Sequence, residues 1–75
     1  MVYEEEESWK LKIMFTEWEL KILKLMMEGL SNRKISQVLE LSPVMTGNHI
    51  GRILKKTRTK NRTTAVYIAA KNNYI

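Results

Sequence analysis

Between Ser31 and Arg62 the chain carries eight cations, Arg33, Lys34, Arg52, Lys55, Lys56, Arg58, Lys60 and Arg62, against the single carboxylate of Glu40. This gives a local net charge of +7 in a chain whose total is +5. One sign of charge gathered on one segment is an electrostatic footprint for a polyanion, whose phosphates guanidinium and ammonium groups neutralise. Within that segment lies Asn48, whose amide can donate to and accept from one base edge at once, the pattern adenine presents. Other chemistry is poorly supplied. The chain has no cysteine and one histidine, His49, so neither a thiolate nucleophile nor a Cys/His metal cluster can be assembled. Ser31, Ser36 and Ser42 read as caps or helix-surface residues with no base placed for them, and no glycine-rich phosphate loop is present. We expect a binding protein, with no enzymatic activity, no cofactor and no metal.

The cations must be held in place by helices. Ser31 stands at an N-cap position before the periodic residue Ile35, and predicts a helix over Asn32–Leu39 with Ile35, Val38 and Leu39 facing inward. Glu40-Leu41 forms a turn. Ser42-Pro43, a capping hydroxyl followed by proline at the first helical position, starts a longer helix over Pro43–Thr57. Thr46, Ile50, Ile53, Leu54 and Thr57 form its inward stripe, and Val44, Gly47, Asn48, Gly51, Arg52 and Lys55 its outer face. Upstream, Thr16-x-x-Glu19 is a capping box with Phe15 and Leu20 placed as a hydrophobic staple, so a first helix runs from Glu17 to Glu28 and stops at Gly29. Its Trp18, Leu20, Ile22, Leu23, Leu25, Met26 and Met27 are more apolar surface than a small core absorbs. Residues 9–15, a second copy of the chain or another protein should cover the excess. Beyond the basic loop Arg58-Thr59-Lys60-Asn61, a last helix opens at Asn61 or Arg62, with Ala65, Ile68 and Ala69 periodic, and ends at Asn72-Asn73.

No strand signal appears, so the fold class is all-α. Residues 1–14 read as an acidic and apolar N-terminal extension and residues 15–75 as one domain. A chain of 75 residues buries only about 60% of its unfolded surface. Without disulfides, extra stability should come from oligomerisation or a bound partner. No apolar run reaches the roughly 18 residues a membrane span needs, and the acidic start lacks the signature of a signal peptide, so the expectation is a soluble cytoplasmic protein.

A short helix, a brief link and a longer helix with a polar outer face is the form of a helix-turn-helix. The match extends further. Phe15-Thr16 with Glu19, Ile22-Leu23, Glu28-Gly29-Leu30-Ser31-Asn32-Arg33, Ile35, Leu39, Leu41-Ser42-Pro43, Asn48-His49-Ile50, Arg52-Ile53-Leu54-Lys55-Lys56, Asn61-Arg62-Thr63 and Ala65-Val66 resemble the LuxR-type helix-turn-helix, also called the GerE or NarL/FixJ output domain. The resemblance covers about residues 15–71, and a chain of this length is most similar to the GerE-like members without a receiver or sensing domain. It implies a four-helix domain that binds double-stranded DNA as a homodimer, with the third helix in the major groove and the fourth in the dimer contact. By position, it implies that Gly47, Asn48 and Gly51 face bases. Ser31, Asn32, Arg33, His49, Arg52, Lys55, Lys56 and Arg62 become backbone or scaffold contributors. Val66, Tyr67 and Ala70, with the aromatic anchors Trp9 and Trp18, are the candidate dimer or partner surface.

Several positions depart from that family's pattern. Val44 and Met45 stand where a basic residue and a threonine are usual, Thr46 replaces a buried aliphatic residue, and Gly47 and Gly51 replace longer polar side chains. Glu40 occupies a turn position usually held by glycine or asparagine, at a cost of roughly 1 kcal/mol if φ there is positive. Two other readings share the pattern. One is a protein-interaction module that keeps the fold but docks on another regulator; the other is a sigma-type promoter-recognition domain, against which the helix after the basic loop argues.

Overall fold

The structure, a computed structural model, describes residues 14–75. The acidic leader, Trp9 and most of segment 9–15 lie outside the described residues. Four helices follow in order: α1 (Glu17–Met27), α2 (Asn32–Leu39), α3 (Pro43–Thr57) and α4 (Arg62–Lys71). No strand occurs among the described residues, and α1 and α3 each pack against the other three helices.

Each helix begins where a side-chain oxygen is available to an orphan backbone N–H. Thr16 accepts from Glu19 N and the Glu19 carboxylate accepts from Thr16 N at 2.9 Å, which completes the capping box. Ser31, Ser42 and Asn61 cap α2, α3 and α4 in the same way. The ends rely on left-handed residues. Gly29 takes φ +89°, while Glu40 and Arg58, at φ 56° and 57°, do so with a Cβ. The penalty expected for Glu40 therefore applies, and Arg58 carries the same one.

Ile22, Leu23, Ile35, Ile53, Ala65 and Ala69 are fully buried, with Met26 and Ile50 nearly so. Phe15 and Leu20, the expected staple pair, pack against this core, and Phe15 also meets the Tyr74 ring edge-on at 5.2 Å. The expected stripe of α3 is present: Thr46, Ile50, Ile53 and Thr57 are buried and Leu54 half-buried. On α1 the core takes in Ile22, Leu23 and Met26 and half-covers Leu20 and Leu25, but Trp18 and Met27 stay exposed.

Val38 is a correction: apolar spacing predicts it inward, and it is 54% exposed. The reason lies across the turn. Buried Ser36 donates to Thr46 Oγ1 at 2.7 Å, so α2 is rotated to bring Ser36, Ile35 and Leu39 toward α3 and to leave Val38 outside. The same bond accounts for threonine at position 46, where an aliphatic side chain would leave the Ser36 hydroxyl buried and unpaired.

A second polar contact joins α1 to α3. Glu19 is 1% exposed, and the carboxylate oxygen that accepts from Thr16 N also accepts from Lys56 Nζ at 2.6 Å. The ammonium group additionally donates to the Met14 carbonyl at 2.7 Å. Burial pushes the Glu19 carboxyl up, but the hydrogen bonds from Lys56 and the Thr16 backbone, with the charges of Lys56 and His49, outweigh it and hold the group below the usual carboxylate range.

Two predictions follow from these contacts. Thr46→Val alone should cost about 1 kcal/mol in denaturant unfolding, while Thr46→Val combined with Ser36→Ala should recover most of that loss. Ionised Glu19 stabilises the fold fully above the ordinary carboxylate pKa, and that contribution fades as pH falls through its lowered folded-state value. Glu19→Gln should cost about 2 kcal/mol at neutral pH, below the usual figure for a broken buried pair because Lys56 is one-third exposed to water. It should also flatten the acid limb of a stability–pH curve.

Candidate nucleic-acid interface

The outward face of α3 is a strip of exposed residues at helical spacing: Val44, Asn48, Gly51 and Lys55 along its centre, with Gly47 and Arg52 on its two edges. Val44 is 71% exposed in the first turn. A Cβ built on Gly47 or Gly51 would meet nothing within 4 Å, so internal packing does not require glycine at either position. The strip is uncharged from Pro43 to Gly51 and cationic from Arg52 onward. Asn48 is its single exposed amide.

The start of α2 lies beside the start of α3. Asn32, Arg33, Ser36 and Gln37 of α2, with Leu41 and Pro43, line an open cleft of about 400 Å³ that places the starts of α2 and α3 side by side. Ser31 is exposed but its hydroxyl is engaged as the α2 cap, accepting from Lys34 N at 3.2 Å. Arg33, Arg52 and Lys55 are exposed cations without a side-chain partner among the described residues. Lys34, Arg58 and Lys60 are exposed as well. They belong to the basic segment but not to the candidate site residues, and charge alone is the signal that points to them.

Four of the expected contributors, Lys56, Arg62, Asn32 and His49, serve the scaffold. Lys56 is held by Glu19 and the Met14 carbonyl, so its charge is largely neutralised within the fold. Arg62 donates to Asn32 Oδ1 at 2.5 Å and to the Leu30 carbonyl at 2.6 Å, which ties the first turn of α4 to the start of α2 and also occupies Asn32. His49 lies on the side of α3 that meets α1, half-buried, its ring stacked 6.4 Å from that of Trp18 with its Nδ1 enclosed. Trp18 is accordingly an α1–α3 packing residue that stays 41% exposed, with Lys21 Nζ over its ring at 5.0 Å from the centroid. On α4, Tyr67 is 61% exposed and Ala70 exposed, while Val66 is half-buried beside a small notch shared with Met26, Arg62 and Thr63. Trp9 lies outside the described residues.

Because no described residue comes within 4 Å of a Cβ built at either position, Gly47→Ala and Gly51→Ala should each raise stability by up to about 1 kcal/mol, measured by urea unfolding. A fall in stability would mean that packing within the domain requires those glycines.

Comparison with known proteins places this arrangement. Residues 14–69 match the family described as bacterial regulatory proteins, luxR family. The chain is 39% identical over 69 residues to the "Probable transcriptional regulator ycf29" of Cyanophora paradoxa, covering 92% of this chain and 33% of that protein. It is 36% identical over 73 residues to the transcriptional regulatory protein DegU of Brevibacillus brevis, covering 97% of this chain and 31% of that one. Among solved structures it is similar to the response regulator ChrA of a heme-sensing two-component system, with a TM-score of 0.81 and 30% identity over 85% of this chain and 32% of the other. The chain thus spans about a third of the length of these regulators. Its four helices, the α2–turn–α3 unit and the basic border of α3 are those of a LuxR-type helix-turn-helix, and the chain belongs to the LuxR family of bacterial regulatory proteins.

Proposed function

We propose that this domain binds double-stranded DNA to regulate transcription, laying α3 in the major groove. The observation that carries the reading is the α3 face itself, a strip of exposed residues that is uncharged from Val44 to Gly51 and continues into the exposed cations Arg52 and Lys55, with exposed Arg33 at the start of the neighbouring α2. That division of charge suits a duplex, because cations on phosphates fix the position of a helix and the residues between them meet base edges. Gly47, Asn48 and Gly51 are the base-facing set and Ser31, Arg33, Arg52 and Lys55 the backbone set. Lys56, Arg62, Asn32 and His49 hold the helices that present them.

Two copies act together in this proposal. Val66, Tyr67 and Ala70 on α4 form the self-association surface, supported by the exposure of a large aromatic side chain on a helix whose opposite face is fully buried through Ala65 and Ala69. The two α3 helices would then enter the major groove about 10 base pairs apart. The alternative, docking on another regulator, has the exposed Met27 and the partly exposed Trp18 in its support.

Fluorescence anisotropy with a random-sequence duplex should show binding at low salt that weakens steeply along a salt series. Charge reversal at Arg52 and Lys55 should reduce affinity at least tenfold with the circular-dichroism melt unchanged. Lys56 is unsuitable for this comparison because its replacement breaks the Glu19 pair. An unchanged affinity in the double variant would favour the protein-docking reading. Tyr67→Glu should lower the sedimentation-derived dimer fraction and the DNA affinity together.

A further inference from the structure

We propose that the α3 face reads adenine–thymine pairs, with Val44 seated on the 5-methyl group of thymine and Asn48 paired with adenine; this rests on the DNA-binding reading above. The side chains available on that face decide the matter. Guanine is recognised in the major groove chiefly by arginine or lysine, which donate to its O6 and N7, and cytosine by an acceptor for its amino group. The first two and a half turns of α3, Pro43 to Gly51, present neither: the exposed side chains are Pro43, Val44, Met45 and Asn48, with no cation and no carboxylate. What they offer is one bidentate amide, suited to adenine N6 and N7, and an apolar surface suited to a methyl group.

Val44 is the residue placed for that contact. At 71% exposure it makes little use of its apolar surface inside the domain, and it stands one turn before Asn48 on the same face. Gly47 and Gly51 flank the pair with empty space where a Cβ would stand, so the helix backbone can approach the groove floor closely enough for one branched methyl to touch another. The cations begin at Arg52, beyond this patch, where they can meet phosphates and leave the base edges to the uncharged turns.

Removing one methyl group tests this. Anisotropy would compare an A·T duplex of mixed sequence, long enough for two half-sites, with the same duplex carrying deoxyuridine in place of thymidine, and with G·C duplexes with and without 5-methylcytosine. The expected result is a loss of about fourfold for each thymine methyl contact removed, the factor a buried methyl group is worth. The methylated G·C duplex should bind more tightly than the plain one, and both salt slopes should stay the same. Val44→Ala, at an exposed position, should erase the thymidine–deoxyuridine difference while leaving the salt slope unchanged. Equal affinity for thymidine and deoxyuridine duplexes, or a difference that survives in Val44→Ala, overturns the assignment of Val44 while the DNA reading stands. Failure to bind any of the duplexes at low salt overturns the DNA reading and this inference with it.

Discussion

The carboxylate of Glu19 is the point on which the rest of the domain turns. One of its oxygens accepts the first backbone N–H of the α1 cap and the ammonium group of Lys56 near the end of α3, from inside the protein. A buried ion is tolerated only when paired and hydrogen-bonded, and Glu19 has both kinds of partner. The consequence is geometric. The start of α1 and the last turn of α3 cannot shift independently, so the orientation of α3 is fixed from within. Arg62 acts similarly at the other side, joining α4 to Asn32 and to the carbonyl of Leu30. Ser36 and Thr46 join α2 to α3 across the turn. Three polar contacts spread over three helix junctions hold a core in which two of the eight buried apolar residues are alanines.

Those contacts divide the basic segment into two populations. Lys56 and Arg62 engage their charge inside the domain, while Arg33, Arg52 and Lys55 keep theirs for solvent or a ligand. The division separates holding from reading. The scaffold cations are those whose removal perturbs the fold, and the others lie on or beside a face that is exposed among the described residues. That face carries two glycines and an exposed valine. Fewer side chains project from it, so the helix backbone itself comes nearer to whatever it docks on.

How much of this is legible in the sequence depends on range. The helix starts are, because caps are local: Thr16-x-x-Glu19, Ser31 and Ser42-Pro43 each set a boundary within a few residues. The left-handed Glu40 follows from the turn position alone. Val38 is misplaced by apolar spacing because its burial is decided by a hydroxyl pair ten residues apart in the chain, and a periodicity that counts only apolar residues does not see Ser36 as buried. Lys56 and Arg62 read as ligand contacts in the sequence because charge there carries no partner. Glu19 lies 37 residues from Lys56, and its local pattern already commits it to the α1 cap. Trp18 reads as an anchor for another chain, yet part of its ring covers His49.

The most direct test is an NMR titration of the isotopically labelled chain with a random-sequence duplex at low salt. DNA binding through α3 predicts that amide shifts and line broadening concentrate on Val44–Lys55 and the first turn of α2. The buried α1 residues Ile22, Leu23 and Met26 and the Lys56–Glu19 contact should remain unperturbed. Perturbations confined to α1 around Trp18 and Met27, or no perturbation along α3, would contradict it.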